Sequence, residues 1–88
     1  MRNSPEIAHG LANIARELDV RGYNCPIPLM RAKKALATMQ PGQVLKIITT
    51  DPGAEIDFKV YCEASGNPIL SLDESSNTFT IVIAKRQA

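Results

Sequence analysis

Residues 16–20 alternate apolar and polar side chains, with Leu18 and Val20 on one face, and this predicts a first strand. Leu29, Ala32, Leu36 and Met39 then recur at helical spacing, and Ala35 widens the stripe. The other side of that helix carries Ile27, Met30, Arg31, Lys33, Lys34 and Thr38, and Gln40-Pro41-Gly42 stops it. Residues 44–50 are apolar and β-branched apart from Lys46, as in an interior strand. A second helix is predicted over 53–65, with Asp51 as N-cap, Pro52 in its first turn and Gly66 as a left-handed stop. Glu55, Lys59 and Glu63 form its solvent face in alternating sign. Ile56, Phe58, Val60, Tyr61 and Ala64 fill the rest of its circumference. Residues 68–73 and 78–85 read as two strands joined by Glu74-Ser75-Ser76-Asn77. Leu70, Leu72, Phe79, Ile81 and Ile83 mark their core faces.

The order is β-α-β-α-β-β. A β-α-β connection crosses over right-handed, so the first two strands should be parallel with the helices packed on the sheet. Two helices do not cover both faces of four strands, and the economical α/β (α+β) arrangement is a two-layer sandwich with both helices on one face. Val44, Ile48, Val82 and Ile69 would then point the other way, an apolar strip among Lys46, Ser71 and Thr80. Residues 1–13 read as an N-terminal extension and 14–88 as one domain. Ile7, Leu11 and Ile14 fall at helical spacing, so that segment is either a frayed tail or a short helix docked on the strip.

Composition narrows the function classes. The chain has 88 residues, a net charge of +1 and four aromatics, which argues against a polyanion-binding protein. Two cysteines and the single histidine, His9, leave no disulfide framework and no convincing metal site. No long apolar run follows Met1, so neither a signal peptide nor a membrane span is expected, and the default is a cytoplasmic protein with reduced thiols, monomeric or weakly dimeric.

The chemistry points to Cys25-Pro26-Ile27-Pro28 at the start of the first helix. Either Cys25 caps it with Pro26 first, or Ile27 caps it with Pro28 first. Both place the sulfur at the positive end of a helix dipole, a setting that lowers a thiol from about 8.5 into the ~3.5–7.5 range. Pro26 and Pro28 stiffen the turn without doing chemistry. Ile27 and Met30, apolar on a face that should be wet, with Arg31, Lys33 and Lys34 beside them, form a candidate docking surface. Two parallel strands put both following loops at one end, so Asp51 should lie near Cys25. Cys62 belongs more than two turns along the second helix, roughly 14 Å from that end at ~1.5 Å per residue, and reads as structural.

Leu18-Asp19-Val20-Arg21-Gly22-Tyr23-Asn24-Cys25-Pro26-Ile27-Pro28, Met39-Gln40-Pro41-Gly42 and Thr50-Asp51-Pro52-Gly53 together resemble the TusA/SirA-like sulfur-carrier family. The resemblance spans residues 18–85. It implies a sandwich like the C-terminal domain of translation initiation factor three, with a mixed sheet ordered 1-2-4-3. It also implies a sulfurtransferase-type carrier whose Cys25 holds sulfur as a persulfide and needs no other cofactor. Gly22, Pro26 and Pro28 would support the motif, while Arg21, Ile27, Met30, Arg31, Lys33 and Asp51 would meet partners. Those partners would be a sulfur donor, a cysteine desulfurase or rhodanese-like protein, and an acceptor of DsrE-like type, with no direct nucleic-acid or membrane contact. Ile56 stands where members often place an arginine before the Asp57-Phe58 pair, and the N-terminal extension is longer than usual. The alternative reading is a nucleic-acid-binding or regulatory module in which Cys25 is not used; a stand-alone oxidoreductase lacks a nearby resolving cysteine.

Overall fold

The computed structural model describes residues 14–87. The elements are β1 (Ile14–Val20), α1 (Ile27–Ala37), β2 (Val44–Thr49), α2 (Ala54–Ser65), β3 (Ile69–Ser75) and β4 (Thr78–Ala84). The sheet runs β1-β2-β4-β3, with β1 and β2 parallel and the other two pairs antiparallel. Ile14 opens β1 opposite Val44 and does not continue a helical stripe. The rest of the extension, and with it the choice between a tail and a docked helix, lies outside the described residues. No helix among the described residues is long and apolar enough to cross a membrane.

Alternation along the strands sends Val20, Leu45, Ile47, Ile81 and Ile83 into one core with Ala32, Ala35 and Leu36 of α1 and Ala54, Phe58 and Cys62 of α2. Both helices therefore lie on one face. Burying each large apolar side chain contributes about 1.5–3 kcal/mol, and Phe58, Leu36, Leu45, Ile47, Ile81 and Ile83 are all fully enclosed. Gly66 caps α2 with φ 83°, the left-handed geometry that a side chain would strain, and its N–H returns to the Cys62 carbonyl.

The structure departs from the pattern reading on β3, β4 and the outer sheet face. A bulge between Ile69 and Ser71 adds one residue to β3, so Ile69 and Leu72 reach the core and Leu70 is turned out, 46% exposed. Strict alternation had placed Leu70 inward and Ile69 outward. Ser75 and Thr78 pair directly, leaving Ser76 and Asn77, both at positive φ, as a two-residue turn in place of a four-residue loop. Val44 and Val82 do lie on the face away from the helices, yet both are buried. Lys46 and Ser71 flank Val82 across the two strand pairs. The exposed strip is thus not present at these positions.

Candidate functional site around Cys25

The thiol sits in the loop leaving β1. Tyr23 N–H bonds back to the Val20 carbonyl at 3.3 Å, and Ile27 N–H to the Asn24 carbonyl at 2.9 Å. Gly22 adopts φ 88°, a left-handed conformation that glycine reaches without Cβ strain, and donates its N–H to Thr50 Oγ1 at 2.9 Å. That bond ties the first β-α loop to the second. Arg21 grips Asp19 through Nε at 2.9 Å and a second guanidinium nitrogen at 2.7 Å, which holds the Asp19 carboxyl down at about 2.

Neither expected helix start is the one formed. Pro26 is the N-cap, Ile27 the first helical residue and Pro28 the second; Met30 N–H closes the first turn onto the Pro26 carbonyl at 2.9 Å. Pro26 and Pro28 have no N–H, and that of Ile27 is spent on Asn24. Of the first-turn donors only Leu29 N–H remains, so the positive end of this helix is depleted of the groups that would stabilise a thiolate. Pro28 is also fully buried, so it packs as well as stiffening the turn.

Carboxylates set the other side of the balance. Cys25 Sγ, Asp51 and Asp57 each place an atom within 4.8 Å of the others. Cys25 is exposed, Asp57 half-buried and Asp51 buried. A hydrogen bond to Asp57, partial desolvation and the charges of Asp57 and Asp51 push the Cys25 thiol above its ordinary value. The lowered thiol expected from the sequence is overturned, because negative charge beside a thiol disfavours its ionised form. Asp51 does lie beside Cys25 as parallel topology requires. It is not the cap of α2, which is Gly53; its Oδ1 accepts the Gly53 N–H at 3.1 Å, and its carbonyl accepts that of Ala54 at 3.0 Å. Asp57 was missed as a site residue. The signal for it was the same topology, which brings the first turn of α2 to the Cys25 loop.

The docking surface read from the sequence divides in two. Ile27 and Met30 are exposed, Met30 at 60%. Lys33 leans over the Tyr61 ring of α2 at 5.7 Å, whereas Arg31 lies over Tyr23 at 4.5 Å on the β1 side. Arg21 is engaged by Asp19 and Asp51 is enclosed, so neither presents a free charged end. Ile56 and Val60, one turn apart on α2, are 68% and 62% exposed and add apolar surface that the pattern reading had absorbed into the helix circumference. Cys62 is buried in the core, unpaired, its thiol pushed up to about 11 by desolvation. It is structural, as expected.

Known proteins share the sequence pattern and the fold of this chain. Residues 16–85 match the family model described as Sulfurtransferase TusA. A Neisseria meningitidis relative is 48% identical over 66 residues, which cover 75% of this chain and 89% of its own. The sulfur carrier protein TusA of Allochromatium vinosum is 43% identical over 75 residues, 85% of this chain and 99% of that one. The crystal structure of a SirA-like protein from Desulfitobacterium hafniense superposes with a TM-score of 0.71 at 26% identity, covering 82% of this chain and 99% of that one. Fold and sequence agree, and the chain belongs to the TusA family of sulfur carriers.

Proposed function

We propose that Cys25 carries sulfur as a persulfide between two partner proteins. The observation that carries this reading is an exposed, unpaired thiol at the shared end of two parallel strands, ringed by exposed Ile27 and Met30, while the other cysteine is sealed in the core. In the loading step the Cys25 sulfur attacks the outer sulfur of a donor persulfide. A new S–S bond forms on Cys25, the donor's S–S bond breaks, and the donor thiolate takes up the proton that leaves Cys25. No electrons are gained or lost overall. Delivery is the same exchange, with an acceptor thiolate attacking the sulfur now held on Cys25.

The donor is a cysteine desulfurase or rhodanese-like protein and the acceptor a DsrE-like one, in a relay that ends in tRNA thiolation or another sulfur-using pathway. Cys25 needs no other cofactor, and the relay is cytoplasmic. The test is intact mass after incubation with a persulfidated sulfurtransferase. Wild type is expected to gain one sulfur mapped to Cys25, and Cys25→Ser to gain none while keeping its circular dichroism spectrum. Added sulfur found chiefly on Cys62 would refute the assignment.

A further inference from the structure

Beside β1, on the helix-bearing face, lies an open groove of about 460 Å³ lined by Arg16, Leu18, Arg31, Lys34, Ala35 and Thr38. Arg16 and Leu18 come from β1, two residues apart and so on the same face of the strand. Arg31 and Lys34 of α1 and its C-cap residue Thr38 follow one another along one ridge at steps of three and four. Leu18 and Ala35 form an apolar floor. Arg16 reaches across to Thr38 Oγ1 at 3.3 Å and closes one end. Arg31, over the Tyr23 ring, joins the other end to the loop that carries Cys25.

Three cations thus face one cavity. The ion pairs among the described residues, Arg21–Asp19 and Lys59–Glu55, use none of them. The acids of β1, Glu17 and Asp19, alternate to the opposite face of the strand. β1 is also an edge of the sheet, so its outer row of backbone N–H and C=O groups has no neighbouring strand among the described residues. Cations in a line, an apolar floor and an open strand edge match an extended chain that carries carboxylates among apolar side chains. A nucleic-acid backbone fits less well: the chain's net charge is only +1, no aromatic lines the groove, and Tyr23 beside it is already covered by Arg31.

We propose that the groove between the β1 edge and α1 binds an acidic, extended segment of the protein that exchanges sulfur with Cys25. This rests on the carrier reading above for the partner's role, though binding in the groove does not depend on the sulfur chemistry.

The experiment is a titration of the isotope-labelled full chain, followed by amide NMR. The probe is a short peptide of alternating glutamate and valine. The controls are a lysine–valine peptide and a single-stranded oligothymidylate. Saturable shifts centred on Arg16, Leu18, Arg31 and Ala35 are expected with the glutamate peptide alone, fading as salt is raised. Lys34→Glu is expected to weaken binding about tenfold, and Arg16→Glu similarly, as removing a rim charge does in charged interfaces. Lys59→Glu on α2 should leave it unchanged. Shifts scattered over all lysines, equal weakening by Lys59→Glu, or preferential binding of the oligothymidylate to the groove would each overturn the proposal. Sulfur loading of the same samples, read by mass, separates the two claims. Loading without peptide binding removes the groove alone, and peptide binding without loading removes the carrier reading alone.

Discussion

Two loops leave the same end of the sheet, one after β1 and one after β2, and each brings proline to the start of a helix. The second is short and closed. Asp51 is buried, its carboxylate holds the Gly53 N–H, its own N–H is held by Thr49 Oγ1 at 3.1 Å, and its carbonyl receives Ala54. The first is longer and open: residues 21–27 are all exposed, and no side chain caps α1. The closed loop has its polar groups satisfied internally, so it is rigid. The open loop turns the Tyr23 and Ile27 N–H groups onto the Val20 and Asn24 carbonyls, gives that of Gly22 to Thr50 Oγ1, and leaves a thiol in solvent. Fixed negative charge from Asp51 and from Asp57 of α2 therefore acts on a sulfur carried by the open loop. The carrier role proposed for Cys25 is served by this division, because the sulfur stays open to attack one partner and to be attacked by the other while the carboxylates that set its reactivity belong to the second loop and α2.

The largest expected effect falls on the closed loop. Asp51→Ala removes the acceptor of Gly53 N–H and should cost about 1–2 kcal/mol, the usual loss for a cap-like side chain. For a domain of this size each kcal/mol lowers Tm by ~4–8 °C, so calorimetry reads it directly. An unchanged Tm would mean that the second loop is not the rigid one.

Gly22→Ala should cost about 1 kcal/mol. The cost is backbone strain at φ 88°, since nothing stands within 4 Å of the added methyl group. Denaturant unfolding measures it, and loss of the Gly22–Thr50 bond would appear as faster amide exchange at Gly22 than in the wild type.

Asp57→Asn removes a negative charge and a charged acceptor from beside Cys25. The thiol should fall toward its ordinary value, so the pH profile of iodoacetamide alkylation moves to lower pH and the neutral-pH rate rises several-fold. The sign follows from the thiolate being the reactive form: a raised thiol is mostly protonated at neutral pH, and lowering it enlarges the thiolate fraction. A profile that stays in place or moves upward would show that the carboxylate does not govern the sulfur.

The smallest effect is local. Arg21→Gln should let the Asp19 carboxyl rise from about 2 toward the ordinary ~3.9, followed by carboxyl NMR. Whatever order the pair lends to the first loop is present above the ordinary carboxylate range and lost as pH falls through about 2. Both partners are solvent-exposed, so little change in global stability is expected.

Much of this architecture was legible along the chain. The stripe Ala32, Ala35, Leu36 and Met39 is buried as its spacing required, and Gly66 ends α2 as predicted. The apolar run of residues 44–50 contains the interior strand β2, and Ile81 and Ile83 of β4 are buried as their alternation required. The Cys25-Pro26-Ile27-Pro28 motif marked the sulfur, and parallel topology placed Asp51 beside it. These are local periodicities and connection rules, which act between residues close in sequence or along one element.

What tertiary structure alone decided is where long-range neighbours meet. The β3 bulge exchanged Ile69 for Leu70 because pairing with β4, and not the strand's own alternation, sets which side chains reach the core. Arg16 and Arg31 share a groove only because β1 lies at the sheet edge beside α1. The sign of the shift at Cys25 was decided in the same way. A helix start seen in isolation lowers a thiol, but two prolines subtract its donors and Asp57, thirty-two residues away in sequence, arrives beside the sulfur. Electrostatic energy depends on distance in space, and that distance exists only once the chain has folded.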